Sequence, residues 1–297
     1  LGDVYKRQGS YRALLCGSSI VGEWAKVHQG DLKIWQLAVA HCQKPEKQAV
    51  PADLLDEERR RCYSMKRRTI EGECAMTLSQ LLDIRPGVTA VIGGGGKTTL
   101  LRTLGEELAG QHPVLLCTTT KILPFSDLPC ARTAAELDEL RRAHQLLCAG
   151  TDEPGTGKLT APETPMAVLA EQFDYILVEA DGAARRPLKA HAPHEPVIPT
   201  EANQTICVVG ASGFGRPIAA AAHRPERYAL LAGMPEAAEA TPEAEARVLR
   251  SEDLHTKVYV NQVETLWNLA DARALARLMD CPVLAGSLWR REYFPCW

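Results

Sequence analysis

No apolar run in this 297-residue chain approaches the ~20 residues that a helix needs to span a bilayer, so the sequence offers no candidate membrane span. There is no charge excess either. Thirty-four lysines and arginines stand against 37 aspartates and glutamates, a net charge of −3, and no global field draws the chain onto nucleic acid or an anionic membrane. No C-x-x-C occurs among the ten cysteines, and several of these sit in apolar runs such as "VLLC" and "QLLCAG". That scatter argues against a disulfide framework or a cysteine-built metal site, and for buried free thiols in a reducing cytoplasm. No internal repeat is present. What remains, 45% hydrophobic and 24% charged residues, is an ordinary globular composition at a length that holds one large or two small domains.

Two segments read differently from the rest. Residues 1–75 have little hydrophobic rhythm, open on "LGDVYKRQ", which resembles a sequence-assembly scar, and carry the charge run "DEERRRCYSMKRR". They are expected to be a non-native or poorly ordered extension, the alternative being a small N-terminal domain. The ending "WRREYFPCW", residues 289–297, crowds aromatics into a chain with 5% of them and is expected to be an irregular tail. Residues 76–288 carry the fold reasoning.

From Met76 onward, apolar runs alternate with amphipathic stretches. Strands are expected at 88–92, 113–117, 145–150, 175–180, 205–210, 257–261 and 282–286. Leu100, Leu101, Leu104 and Leu108 line one face of a helix spanning Thr98–Ala109. Thr241-Pro242-Glu243 opens another helix, with a hydroxyl at the N-cap and proline at the first helical position. Continuous apolar strands separated by helices predict an α/β fold with a parallel sheet covered on both faces. In such sheets ligands bind at the carboxyl ends of the strands.

The most informative of those ends is "VIGGGGKTTLL", a strand, four glycines, then Lys97, Thr98 and Thr99 opening a helix. Backbone amides of Gly93, Gly94, Gly95 and Gly96 and of the helix start can wrap a phosphate at the positive end of the helix dipole. Lys97 adds a mobile cation, and Thr98 offers a hydroxyl to a magnesium ion. The longer G-x-x-x-x-G-K-[ST] spelling needs glycine where Val91 stands, so the compact G-x-x-G-K-[ST], Gly93–Thr98, is the fit. The reading is a P-loop domain for ATP or GTP with Mg2+. "GTGK" at Gly155–Lys158 is a decoy, with no strand before it.

Other strand ends supply the expected partners. "FDYILVEADG" ends in Glu179 and Asp181, carboxylates for magnesium and the terminal phosphate, with Asp181 placed at the metal. "VLLCTTTKI" ends in Thr118–Lys121, where Thr119 suits a second contact to the metal. The proline-stiffened "AARRPLKAHAPHEPVIP" carries Arg185, Arg186, Lys189, His191, His194 and Glu195, a basic loop suited to clamping an anion or supporting a transition state. Its H-x-x-H-E lacks the helical spacing and the third ligand of a zinc site. Gly210, Gly213 and Gly215 read as a turn into a helix. "KVYVNQVET" places Asn261 and Glu264 where a base pocket is expected, an imperfect N-K-x-D spelling in which asparagine braces the glycine loop.

Taken together, "GGGGKTT", "CTTTK", "VEADGAARRPLKAHAPHEPVIP", "HRPERY" and "NQVE", in that order from about Met76 to Leu288, resemble the YqeC family. Its members are described as accessory proteins of selenium-dependent hydroxylases. The resemblance implies a cytoplasmic nucleotide-binding protein that helps to mature selenium-dependent molybdenum hydroxylases, those enzymes or their maturation proteins being its partners. Three kinds of activity stay open. The first is a P-loop nucleoside triphosphate hydrolase, with Lys97, Glu179, Asp181, Arg185 and Lys189 as catalytic candidates. The second is a phosphoryl or nucleotidyl transferase holding a small anion on Arg185, Arg186 and Lys189. The third is a nucleotide-binding module without turnover.

Overall fold

The computed structural model describes residues 76–296, all within the second of two compact units, Tyr63–Trp297. The expectations for residues 1–75 lie outside the described residues, as do Cys16, Cys42, Cys62 and Cys74. A nine-stranded sheet forms the centre, with helices on both faces, and all its pairings are parallel except one edge.

The chain enters through α1 (Leu78–Leu81), closed by a reciprocal capping box between Thr77 and Gln80. It then runs through β1 (Gly87–Gly93), α2 (Lys97–Leu108), β2 (Val114–Thr118), β3 (Cys130–Ala131), α3 (Ala134–Ala143) and β4 (Leu146–Ala149). A hairpin of β5 (Thr151–Glu153) and β6 (Lys158–Thr160) follows, so a short strand does precede "GTGK", whose Gly155–Gly157 lie in the hairpin turn; then come α4 (Met166–Ala170) and β7 (Tyr175–Glu179). Next come β8 (Leu188–Lys189), β9 (Ala202–Gly210), a 3-10 turn (Ala211–Gly213), α5 (Ile218–Ala221), β10 (Ala222–His223) and α6 (Pro225–Ala232). The chain finishes with α7 (Pro242–Glu252), β11 (Lys257–Asn261), α8 (Leu266–Ala276), β12 (Val283–Ser287) and β13 (Glu292–Pro295).

Strand order is β13-β12-β11-β9-β1-β7-β2-β4-β3, so β1 is the middle strand. Strand side chains alternate between two layers. Ala90 and Ile92 pack under α6, α7 and α8, whereas Val91 faces α1 and α2. The far half of the first face, beneath α3 and α4, is filled by Val88, Leu115, Ile176 and Val178. Burial on both sides is why these strands read as continuous apolar runs.

Register aligns the carboxyl ends. Val91 and Thr118 both pair with Glu179, Gly93 with Val208, and Asn261 with Gly210. On one side of β1 the chain passes to β2, goes out to the edge at β3, returns through β4 and inserts β7 between β1 and β2; it then crosses to the other side with β9, β11 and β12. Such a reversal opens a crevice beyond the strand ends, and here that crevice lies at the glycine loop.

The strand positions follow the apolar runs closely, with 257–261 coinciding with β11. Helix α2 starts one residue earlier than expected, at Lys97. The ending 289–297, expected to be irregular, contains β13, which pairs antiparallel with β12 and brings Phe294 onto the core. Short runs β3, β8 and β10 carry too few residues to show a period. Among the described residues, no helix is long and apolar enough to cross a membrane. None of the six described cysteines is in a disulfide; Cys117, Cys148 and Cys207 are buried and Cys130, Cys281 and Cys296 half-buried.

Candidate functional site

Helix α2 begins without a cap. Its N-cap residue is Gly96 at φ 125°, and no side chain accepts from its first amides, unlike α3, α7 and α8, which are capped by Thr133, Thr241 and Thr265. The loop before it is held tightly by its surroundings. The Gly94 amide donates to the Val208 carbonyl at 2.8 Å and the Gly95 amide to the Arg186 carbonyl at 3.1 Å. A Cβ on Gly94 would sit 2.7 Å from that Arg186 oxygen, and one on Gly95 only 2.5 Å from Gly210 Cα. At Gly94 close backbone approach alone demands glycine, and at Gly95 a φ of 77° adds to it. With those two amides engaged, the donors left toward the crevice are the N–H groups of Gly96, Lys97, Thr98 and Thr99, where the helix dipole is positive.

Lys97, expected to be a mobile cation, is 5% exposed. Its ammonium donates to the Gly93 carbonyl at 2.8 Å and lies 3.0 Å from Asp181 Oδ1 and 3.7 Å from Glu179 Oε1. The contact to Asp181 Oδ1 is an ion pair without hydrogen-bond alignment. Thr98 Oγ1 donates to Glu179 Oε2 at 2.6 Å. Lysine, threonine and glutamate therefore meet at the uncapped helix end. Burial pushes the Glu179 carboxyl above its ordinary range, although Lys97 and Thr98 oppose the shift.

Asp181, expected at the metal, is fully buried. Its Oδ2 accepts from the Gly93 amide at 2.9 Å and from His191 Nε2 at 2.7 Å, and lies 3.0 Å from Lys189. Burial alone would raise its carboxyl; the His191 hydrogen bond and the Lys97 and Lys189 charges overcome that and hold it well below the usual carboxylate range. Those contacts leave Asp181 framing the loop. Thr119, the other expected metal contact, donates its hydroxyl to the Val197 carbonyl at 2.6 Å and its amide to the Glu179 carbonyl at 3.2 Å.

The basic loop divides in two. Lys189 has no exposed side-chain surface; it pairs with Asp181 and with Glu195 at 2.9 Å and donates to the Gly182 carbonyl. Arg224 closes on the same Glu195 at 2.6 Å. Arg186 donates to the Ala220 carbonyl. Arg185, at φ 59°, is exposed with no protein partner among the described residues. The anion clamp expected from Arg185, Arg186 and Lys189 therefore keeps one free cation, Arg185, because Asp181 and Glu195 neutralise Lys189 and a carbonyl takes Arg186.

His191 joins Asp181 to Glu252, which accepts from the His191 main-chain amide and meets Nδ1, each at 2.6 Å. Burial lowers the affinity of the imidazole for its proton, but the bonds to Asp181 and Glu252 outweigh this and raise its pKa. Glu252 escaped sequence reasoning. It ends an ordinary amphipathic helix 61 residues from its partner, and no local pattern marks it. Arg224 is another such residue; it lies in "HRPERY", quoted above without a role. His194 remains exposed, and no cluster of three or more metal-ligating side chains occurs among the described residues.

On the other flank, Asn261 Nδ2 donates to the Gly95 carbonyl at 2.7 Å, and its Oδ1 accepts from the Leu288 amide at 3.1 Å. The asparagine braces the glycine loop, as its motif position suggests. Glu264 sits on the exposed rim, its carbonyl accepting from Arg290 at 3.0 Å.

A family model described as "YqeC protein" matches residues 89–226, spanning the glycine loop, Glu179, Asp181 and the basic loop. A protein of Escherichia coli (strain K12) named "Uncharacterized protein YqeC" is similar at 33% identity over 176 residues, 56% of this chain and 69% of the relative.

Proposed function

The chain belongs to the YqeC family, and from that premise we propose that it is a P-loop protein that binds ATP or GTP with magnesium and hydrolyses it. We place its use in the maturation of selenium-dependent molybdenum hydroxylases. The observation that carries the nucleotide reading is the meeting of Lys97, Thr98 and Glu179 at the uncapped start of α2. Four free amides at a helix N-terminus favour a phosphate.

The donors suit magnesium. Thr98 and Glu179 present oxygen ligands, and a hard divalent cation bound with phosphates needs one or two protein oxygens rather than a full cage. When bound, the cation neutralises charge developing on the phosphates. The chain's own residues do the rest. The amides of Gly96–Thr99 receive phosphate oxygens, and Lys97 moves from the Gly93 carbonyl to a phosphate. Asp181 holds the Gly93 end of the loop in place, and Asn261 holds Gly95. Glu179 replaces Asp181 as the metal-side carboxylate in this reading, because Glu179 is the carboxylate that Thr98 meets, whereas Asp181 is fully buried and its Oδ2 is taken by Gly93, His191 and Lys189. A transferase retains Arg185 alone as a substrate cation and is the weaker alternative.

Calorimetric titration with ATP and with GTP in the presence of magnesium tests this. Lys97→Ala should lose nucleotide binding while its far-ultraviolet dichroism stays that of the parent. Unchanged affinity in a folded Lys97→Ala protein removes the phosphate-loop reading. Turnover measured with and without a purified molybdenum hydroxylase tests the accessory role, for which acceleration by that partner is expected.

A further inference from the structure

Two cysteines on the far edge of the sheet form a second chemical site, remote in sequence from the glycine loop. Cys130 of the edge strand β3 is the direct Cα partner of Cys148 in β4. Both side chains pack into the same apolar cluster, so they lie on one face of the sheet. Facing residues on neighbouring strands are ~4.8 Å apart, inside the ~4.4–6.8 Å range of Cα separations that a disulfide tolerates. The Arg132 guanidinium donates to Cys130 Sγ through Nη1, while its Nε is held by Asp152 Oδ1 at 2.8 Å. Cys130 is half-buried and Cys148 buried.

We propose that Cys130 and Cys148 are a reversible dithiol–disulfide pair, with Cys130 the nucleophile toward hydroperoxides and Cys148 the resolving thiol. The Cys130 thiolate attacks the terminal oxygen of a hydroperoxide. An S–O bond forms, the O–O bond breaks, and the departing alkoxide takes a proton from water, leaving a sulfenic acid and an alcohol. The Cys148 sulfur then attacks the sulfenic sulfur; the S–S bond forms and hydroxide leaves with the Cys148 proton as water. Two thiols and one hydroperoxide give a disulfide, an alcohol and a water, and an external dithiol reverses the change.

The environment divides the pair into these roles. The hydrogen bond from Cys148, then the charge of Arg132, outweigh burial and the opposing Asp152 and bring the Cys130 thiol down to about 7. The bond to Cys130, then burial, pushes Cys148 up. Cys281, also half-buried, has no such partners and is raised by burial. It serves as an internal comparator.

Alkylation of the full chain with iodoacetamide at pH 7, followed by peptide mass spectrometry, reads this directly. Cys130 should be modified about tenfold faster than Cys281, since the thiolate is the reacting form. Pulses of hydrogen peroxide should link Cys130 to Cys148, with dithiothreitol restoring both thiols. In Cys148→Ala the reaction should stop at a Cys130 sulfenic acid trapped by dimedone. Arg132→Gln should shift the pH profile of Cys130 alkylation upward, slowing it at pH 7 and leaving it unchanged at pH 10. Equal rates for Cys130 and Cys281, or peroxide treatment that leaves the pair unlinked, would overturn the proposal. Neither outcome bears on the nucleotide site.

Discussion

Exchanging a single oxygen for nitrogen at each of two neighbouring carboxylates should separate framing from chemistry. In Asp181→Asn the side chain keeps its size but loses the charge that sits among Lys97, Lys189 and His191 at 3.0, 3.0 and 2.7 Å. Its amide nitrogen must also face a donor, whichever way the group turns. Asp181 is fully buried, and removing one member of a buried pair costs ~3–5 kcal/mol. At ~2–4 °C per kcal/mol for a domain of this size, the melting temperature should fall by ~6–20 °C. Glu179→Gln behaves differently. The glutamine oxygen still accepts from Thr98, and Lys97 is 3.7 Å from the carboxylate it replaces. Because burial already disfavours charge on Glu179, stability should change by ~1 kcal/mol or less. Magnesium-dependent turnover should instead fall ~10²–10³-fold, the usual loss when a charge-stabilising contact is removed. Scanning calorimetry of the ligand-free proteins and a phosphate-release assay measure both. An Asp181→Asn protein that melts with the parent would refute the electrostatic frame. A Glu179→Gln protein with full turnover would refute its place beside the metal.

Lys189→Ala should lower the melting temperature by several degrees, since it strips a fully buried carboxylate of one cation; Arg185→Ala should melt with the parent and, if altered at all, show it in turnover. The His191 imidazole has a pKa raised in the folded state. Its stabilising contribution is therefore complete below ~6.5, the ordinary value, and is lost as pH rises through the folded value. Melting temperature should decline on the alkaline side, and Glu252→Gln should begin that decline at lower pH. Gly95→Ala, forced to φ 77° with its Cβ against Gly210, should cost ~2–5 kcal/mol in urea unfolding. It should also weaken nucleotide binding by displacing the carbonyl that Asn261 holds.

Much of the sheet was legible because strands buried on both faces appear as unbroken apolar runs, and β11 could be placed to the residue. The motif ends were legible for the same reason: a strand that stops at a glycine or an acid announces the crevice. Roles at those ends were harder to read. Glu179 and Asp181 lie two residues apart in "VEADG", and sequence offers no means of telling that Asp181 turns in to the Gly93 amide while Glu179 reaches Thr98. Lys189 looked like a free cation because its neutralising partners, Asp181 and Glu195, are assigned only when the loop folds back. Glu252 was invisible for a different reason. Its helix shows an ordinary apolar stripe, and the histidine that needs it comes from another part of the chain. The β3–β4 cysteine pairing was hidden too, since a two-residue strand has no period.

The bond from Asn261 to the Gly95 carbonyl spans 166 residues of chain, and the one from Glu252 to His191 spans 61. Contacts of such range form late, because loop-closure entropy must be overcome before they return any stabilisation. During synthesis β1 and α2 leave the ribosome long before α7 and β11, so the nascent glycine loop has neither its asparagine brace nor the carboxylate behind His191. The loop is finished only when nearly the whole domain has emerged, and a chain cut anywhere before Asn261 would carry the glycines, Lys97 and Thr98 without the scaffold that shapes them.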